Sequence, residues 1–211
     1  SVVGARIYVL GNEGTSDEFV EARSSADGKK VWSTRLGNVG NPTQRPNYPA
    51  ARSTPTIDGD RLYALGSDGD LGCLKTNTGK VLWQRNVRSD FGGQPGEWAY
   101  AESPLVDGAV VVCTPGGPDA TLVALNKMTG EVIWKSAVPD EQAAGYASII
   151  IVEYGGVKQY VQFLSKSLVG VEKEIGQAWD GLDAPGKKAL LDGGAEAIKL
   201  SPQENAKFRK I

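Results

Sequence analysis

Trp32, Trp83 and Trp134 stand 51 residues apart, and each closes a copy of one short phrase. The copies read Asp27-Gly28-Lys29-Lys30-Val31-Trp32, Thr78-Gly79-Lys80-Val81-Leu82-Trp83 and Thr129-Gly130-Glu131-Val132-Ile133-Trp134. A fixed period of this length marks a chain assembled from stacked copies of one supersecondary unit. Such a unit cannot bury its apolar face alone, so each copy must pack on its neighbours. Identical placement of an indole in every copy predicts an architectural role, packing between adjacent units, rather than a stacking platform for a ligand.

Other landmarks keep nearly the same spacing. Asp58-Gly59, Asp107-Gly108 and Gly155-Gly156 each join two apolar, β-rich runs. A two-residue Asp-Gly or Gly-Gly turn between such runs predicts a β-hairpin, because the turn needs a positive φ. The Trp phrase predicts a second hairpin, with Gly28, Gly79 and Gly130 in the left-handed conformation at its turn. Each period therefore holds four short antiparallel strands. No helical periodicity runs through residues 1 to 172, so no segment offers a βαβ crossover. The fold class is all-β. A fourth copy, Leu168 to Trp179, is one residue short and carries Ile175-Gly176 where the others have Thr-Gly.

Charge and composition remove several functions. With 23 basic and 25 acidic residues the net charge is −2, which argues against a nucleic-acid surface. No apolar run approaches the length of a membrane span. No basic leader precedes the Val2-Val3-Gly4 start, so no signal peptide is expected in this sequence. Histidine is absent. That takes away the commonest general base, the Ser-His and Cys-His nucleophile pairs, and imidazole metal ligands. Cys73 and Cys113 lie on different repeats and are expected to be small buried hydrophobes, with no metal site.

The strand–Thr-Gly–strand–Trp phrase resembles the tryptophan-docking repeat of pyrroloquinoline-quinone-type β-propellers. That family includes quinoprotein alcohol dehydrogenases, a lipoprotein of outer-membrane barrel assembly, and many exported propellers. The stretch Glu102-Ser103-Pro104-Leu105-Val106-Asp107-Gly108, with Thr114-Pro115-Gly116-Gly117 and Thr121 to Leu125 after it, is similar to the exported group in particular. The resemblance implies four-stranded blades and an exported or periplasmic location. In the family's enzymes it also implies a quinone held with Ca²⁺, a stacking Trp, adjacent cysteines and an Asp base. Adjacent cysteines do not occur here, and Asp58, Asp68, Asp70 and Asp107 read as turn residues. The expectation is therefore no cofactor.

Residues 1–179 are thus expected to form about three and a half blades, the first lacking its inner strand. They are a fragment, a small ring, or half of a dimer. An open arc would expose apolar sheet faces at its ends and predicts self-association there. Residues 180–211 read as a helical tail, with Ser201-Pro202-Gln203-Glu204 as a capping box. That tail resembles the C-terminal helices of exported substrate-binding proteins from dicarboxylate-type transporters.

Function is sought in the loops that join one blade to the next, because they differ while the scaffold repeats. Residues 37–51 hold Arg45 and Tyr48, and Arg52 follows them; 88–101 hold Asp90, Glu97, Trp98 and Tyr100; 138–146 hold Asp140, Glu141 and Tyr146. Arg45, Tyr48, Arg52, Trp98, Tyr100 and Tyr146 are the candidate ligand contacts. The reading is a non-catalytic, exported binding or assembly scaffold for a protein, peptide or saccharide. Two alternatives stand beside it. One is a fragment of a quinoprotein-type oxidoreductase, which would bring pyrroloquinoline quinone with calcium. The other is a hydrolase or lyase using paired carboxylates such as Glu97 and Glu102.

Overall fold

The computed structural model describes residues 1–41, 51–138, 143–154 and 157–172. Arg45, Tyr48, Asp140, Glu141, the Gly155-Gly156 turn, the end of the fourth copy and the tail expected over 180–211 lie outside the described residues.

The chain folds as four successive antiparallel sheets, each a meander in chain order. The first blade is β1 (Val2–Val3), β2 (Arg6–Glu13), β3 (Asp17–Ser24) and β4 (Lys30–Asn38). The second is β5 (Thr56–Asp58), β6 (Arg61–Leu65), β7 (Asp70–Lys75) and β8 (Val81–Asn86). A short helix α1 (Val87–Phe91) follows it. The third is β9 (Leu105–Asp107), β10 (Val110–Cys113), β11 (Leu122–Asn126) and β12 (Val132–Ser136). Of the fourth, β13 (Ile150–Tyr154), β14 (Val157–Phe163) and β15 (Leu168–Glu172) are described.

Two expectations need correction. The first blade does have its inner strand: Val2 and Val3 pair with Ile7 and Arg6 across a two-residue turn. A stub of two residues carries no alternation to read, so sequence reasoning left it out. The turns are also shifted by one residue. Asp58 pairs with Arg61 and Asp107 with Val110, so Gly59-Asp60 and Gly108-Ala109 occupy the turns. The glycine takes the first central position, at φ +59 and +57. Positive φ at that position alone is the pattern of a type II′ hairpin turn, which favours glycine there.

The repeated tryptophans sit at one register. Trp32 lies opposite Ala22, Trp83 opposite Cys73 and Trp134 opposite Ala124, and a bulge follows each of these partners. The extra residue strengthens local twist. The three partners are completely buried, so a larger side chain there has no room. Both cysteines are free and buried.

The core lies between blades. One cluster joins Tyr8, Val20, Ala22 and Leu36 to Leu62, Ala64 and Leu74; a second joins Tyr63, Leu65, Cys73, Trp83 and Val87 to Val111, Cys113, Val123 and Leu125. A third joins Val112, Leu122, Ala124, Trp134 and Val138 to Tyr160, Leu164 and Val169. Alternate residues of β10 thus face opposite neighbours, which is why these strands read as continuous apolar runs. Among the described residues no cluster joins the fourth blade to the first.

Tryptophan docking has a definite chemistry. Trp32 Nε1 donates to the Thr76 carbonyl at 3.0 Å and Trp83 Nε1 to the Lys127 carbonyl at 3.0 Å, each on the next blade. The rings lie on Gly79 and Gly130, where a Cβ would come within 2.5 Å and 2.8 Å of indole carbon. A tyrosine supports each of these contacts. Tyr63 Oη also donates to Lys127 O at 3.0 Å, and Tyr8 Oη to Thr76 O at 3.4 Å. Lys127 Nζ reaches back to Asp58 at 2.6 Å.

Candidate binding site

The described parts of the three connections between blades are hydrogen-bonded to one another. Asn41 Nδ2, from the first connection, donates to Glu97 O in the second at 2.7 Å. From the third, Ala144 N donates to Gln94 O at 2.9 Å, and the Tyr146 hydroxyl accepts from Trp98 N at 3.2 Å. The described parts of loops of independent sequence therefore meet here.

The second connection is built from its cap outward. Asn86 Oδ1 accepts from Arg88 N and Ser89 N, which starts α1, and Gly92 at φ +61 ends it. These are the ordinary roles of an N-cap asparagine and a C-cap glycine. The helix is one turn long, too short for an apolar periodicity, so the sequence reading missed it. Farther on, Ala99 adopts φ +66. A non-glycine residue there costs about 1 kcal/mol and needs support from its surroundings. That support is visible: Ala99 N bonds Gly96 O, and Tyr100 N bonds Ser67 O.

This kink separates two neighbours that the sequence places together. Trp98 turns to the surface, where the guanidinium of exposed Arg52 lies 5.8 Å from its ring centroid. Tyr100 turns inward instead. It is only 1% exposed, and its hydroxyl donates to Pro115 O at 2.9 Å. Burial pushes that phenol well above its ordinary pKa. Of the candidate contacts, the structure thus brings Arg52, Trp98 and Tyr146 together and places Tyr100 in the core, against expectation. Beside the cluster is a depression of about 570 Å³ lined by Gly96, Glu97, Ala144, Tyr146, Phe163 and Leu164, among others. Its walls are apolar and aromatic, with Glu97 as the charged group.

Glu102 does not share that depression. Its carboxylate is buried beneath the connections, where it accepts from Thr114 N, from Thr114 Oγ1 at 2.7 Å and from Gln162 Nε2 at 3.0 Å. Desolvation raises its pKa to about 7, although the Thr114 bonds pull the other way. Glu18 is likewise buried, bonded to Ser67 N and Ser67 Oγ, and raised by desolvation. Sequence reasoning paired Glu102 with Glu97 as a candidate acid and base. Instead Glu102 ties the third blade to the fourth, while Glu97 is exposed at the surface.

A model of the PQQ-type repeat family, described as outer membrane protein assembly factor BamB, matches residues 16–189. The chain belongs to this family. The BamB of Burkholderia pseudomallei is 27% identical over 142 residues, which are 66% of this chain and 34% of that protein. The chain thus spans about a third of that relative's length. The crystal structure of BamB from Moraxella catarrhalis aligns with a TM-score of 0.52 at 19% identity, covering 79% of this chain and 42% of that one. A quinohemoprotein alcohol dehydrogenase from Comamonas testosteroni aligns with a TM-score of 0.56 at 17% identity, covering 83% and 33%. At such identities the likeness shows the fold alone, and an assembly factor and an enzyme share it.

Cys73 and Cys113 are each buried singly on separate blades, and the three repeat tryptophans are committed to packing between blades. Among the described residues no three carboxylate, cysteine or histidine groups converge as metal ligands. These residues do not fit a quinone with Ca²⁺.

Proposed function

We propose that the chain is a non-catalytic binding and assembly scaffold of the BamB-type family, acting in an exported, periplasmic setting. Its partner is a protein or an extended peptide, received on the connection face. The observation that carries this reading is the Arg52–Trp98–Tyr146 cluster beside the apolar depression. A concave apolar surface lined by Tyr146, with an arginine–tryptophan pair next to it, offers the residue types enriched at protein-recognition surfaces. The family's name supports assembly rather than turnover.

The test is a fluorescence titration with extended peptides rich in aromatic and apolar residues, beside oligosaccharides and pyrroloquinoline quinone with and without Ca²⁺. Peptides should bind, and Trp98→Ala and Tyr146→Ala should each weaken them by about 30-fold or more, the usual mark of an interface hot spot. Peptide binding indifferent to both substitutions would overturn the placement of the site. Saturable quinone binding that disappears on chelation would overturn the non-catalytic reading in favour of an oxidoreductase.

A further inference from the structure

Beneath the depression lies a buried side chain that touches two of its walls. Gln162, 1% exposed, precedes Phe163 on β14. Its Oε1 accepts from Phe163 N at 3.0 Å, and its Nε2 donates to Ala147 O at 3.0 Å. Ala147 follows Tyr146, and Ala147 and Phe163 both line the depression. With Oε1 held by Phe163, the amide NH2 group is turned toward Glu102. There it meets Glu102 Oε2 at 3.0 Å and Thr114 Oγ1 at 2.8 Å as well as the Ala147 carbonyl. Two protons thus serve three acceptors, and what those acceptors offer decides how the amide is held. Beside this network Ser103 N donates to Ser148 Oγ at 2.9 Å, a second tie between the same two segments.

Glu102 changes that offer when it takes a proton. As a carboxylate it only accepts: from Thr114 N, from Thr114 Oγ1 at 2.7 Å and from Gln162. Its bond to Gln162 is then charge-assisted, about twice as strong as a neutral one. As an acid it must donate, and Thr114 Oγ1 is the hydroxyl within reach. The Thr114 hydroxyl proton then loses its acceptor on Glu102, and Gln162 keeps only a neutral partner there. Protonation therefore slackens the side chain that holds Ala147 and Phe163. The titratable groups that face Glu102 are the Tyr100 phenol and the Cys113 thiol, and burial holds both neutral. Glu102 is itself only 2% exposed, so a ligand on the surface above adds little further desolvation. The sign of the coupling follows from the hydrogen bonds.

We propose that Gln162 is a positioning residue for the peptide site: it carries the charge state of Glu102 to the Ala147 and Phe163 walls, so the site takes peptide more tightly when Glu102 is ionised. This rests on the peptide-binding reading given above. A ligand that prefers the ionised form releases a proton on binding, so its affinity rises with pH. Stability of the fold runs the other way, because burial favours the protonated acid and stability falls as pH rises through the same window. Opposite slopes separate a positioning role from a merely structural one, which would move binding and stability together.

The experiment has two arms. In the ligand-free chain, NMR follows the Gln162 side-chain amide and the Phe163 backbone amide from about pH 5 to 8.5. Both should titrate together with a midpoint near 7, and Glu102→Gln should abolish the titration. In the second arm an extended peptide of alternating aromatic and apolar residues is titrated over the same range. It should bind about three- to tenfold tighter at the alkaline end, the worth of one net hydrogen bond. Glu102→Gln and Gln162→Met should each remove that dependence, and Glu97→Gln, at the exposed acid of the depression, should keep it. Gln162→Met leaves Glu102 in place, so its stability in urea should still fall with rising pH. Amides that do not titrate, a pH dependence of binding that survives Gln162→Met, or one that vanishes in Glu97→Gln would overturn the proposal. Peptides that bind through Trp98 and Tyr146 with equal affinity at every pH would sink this inference alone. Peptides that bind at no pH would sink the reading beneath it.

Discussion

The joint between the second and third blades and the joint between the third and fourth are built from the same repeat but use different chemistry. In the former, Trp83 and Tyr63 converge on one carbonyl, Lys127 O, above an apolar cluster. In the latter, Val112 holds the place of Tyr63 in the register, opposite Ala124. Trp134 there packs on Tyr160 of the fourth blade, ring centroids 5.8 Å apart, and Tyr160 Oη donates to Asp107 at 2.8 Å. Glu102, Thr114 and Gln162 add a buried polar network to that joint. The repeat fixes where blades meet and leaves open whether apolar area or polar bonds secure the meeting. An apolar joint is indifferent to pH, whereas a buried carboxyl makes its joint respond to it.

The largest expected effect comes from the apolar joint. Trp83 is 9% exposed, so Trp83→Ala removes a buried indole, its bond to Lys127 and its cover of Gly130. The expected loss is about 3–5 kcal/mol by chemical denaturation. Trp32, only half-buried, should lose less on the same truncation. Equal losses at both sites, or less than about 1 kcal/mol at Trp83, would show that docking does not secure the joint.

The next effect separates the joints by pH. The folded-state pKa of Glu102 is about 7, raised from 4.5 chiefly by burial. A carboxyl with a raised pKa binds more protons folded than unfolded, so stability falls as pH rises through that window. From about pH 4.5 to above 7 the loss from this group is on the order of 3 kcal/mol. Glu18, raised in the same direction, adds to the trend from the first joint. Glu102→Gln should flatten most of the slope measured by urea denaturation between about pH 4.5 and 7.5. An unchanged slope would assign the dependence elsewhere.

How much of this could be read from the sequence follows from what repeats. The 51-residue period announced the blades, the hairpins and the docking tryptophans, because an architectural residue must recur in every copy. Tyr8 and Tyr63 were missed because Val112 interrupts their recurrence and a strand tyrosine reads as ordinary core. The Glu102–Gln162 contact spans 60 residues and occurs once, so no spacing could announce it. Tyr100 was misplaced because the kink at Ala99, a residue with no preference for positive φ, reverses which neighbour faces outward. Arg52, Trp98 and Tyr146 came from loop position alone, and their juxtaposition depends on three connections whose packing is not periodic.

The smallest effect sharpens the comparison at a single oxygen. Tyr63→Phe deletes only the hydroxyl that donates to Lys127 O, leaving the ring, which is wholly buried, in place. A net hydrogen bond is worth about 0.5–1.5 kcal/mol, and most when its loss strands a buried partner. Here the carbonyl keeps Trp83 Nε1 at 3.0 Å, so nothing is stranded and the loss should sit near the lower figure. In Trp83→Ala the same carbonyl depends on Tyr63 alone, so adding Tyr63→Phe should then cost more than it does in the wild-type chain. A double-mutant cycle reads this coupling directly. Strict additivity would mean that the two donors act separately, and that the third blade gave up nothing specific when Val112 took the tyrosine's place.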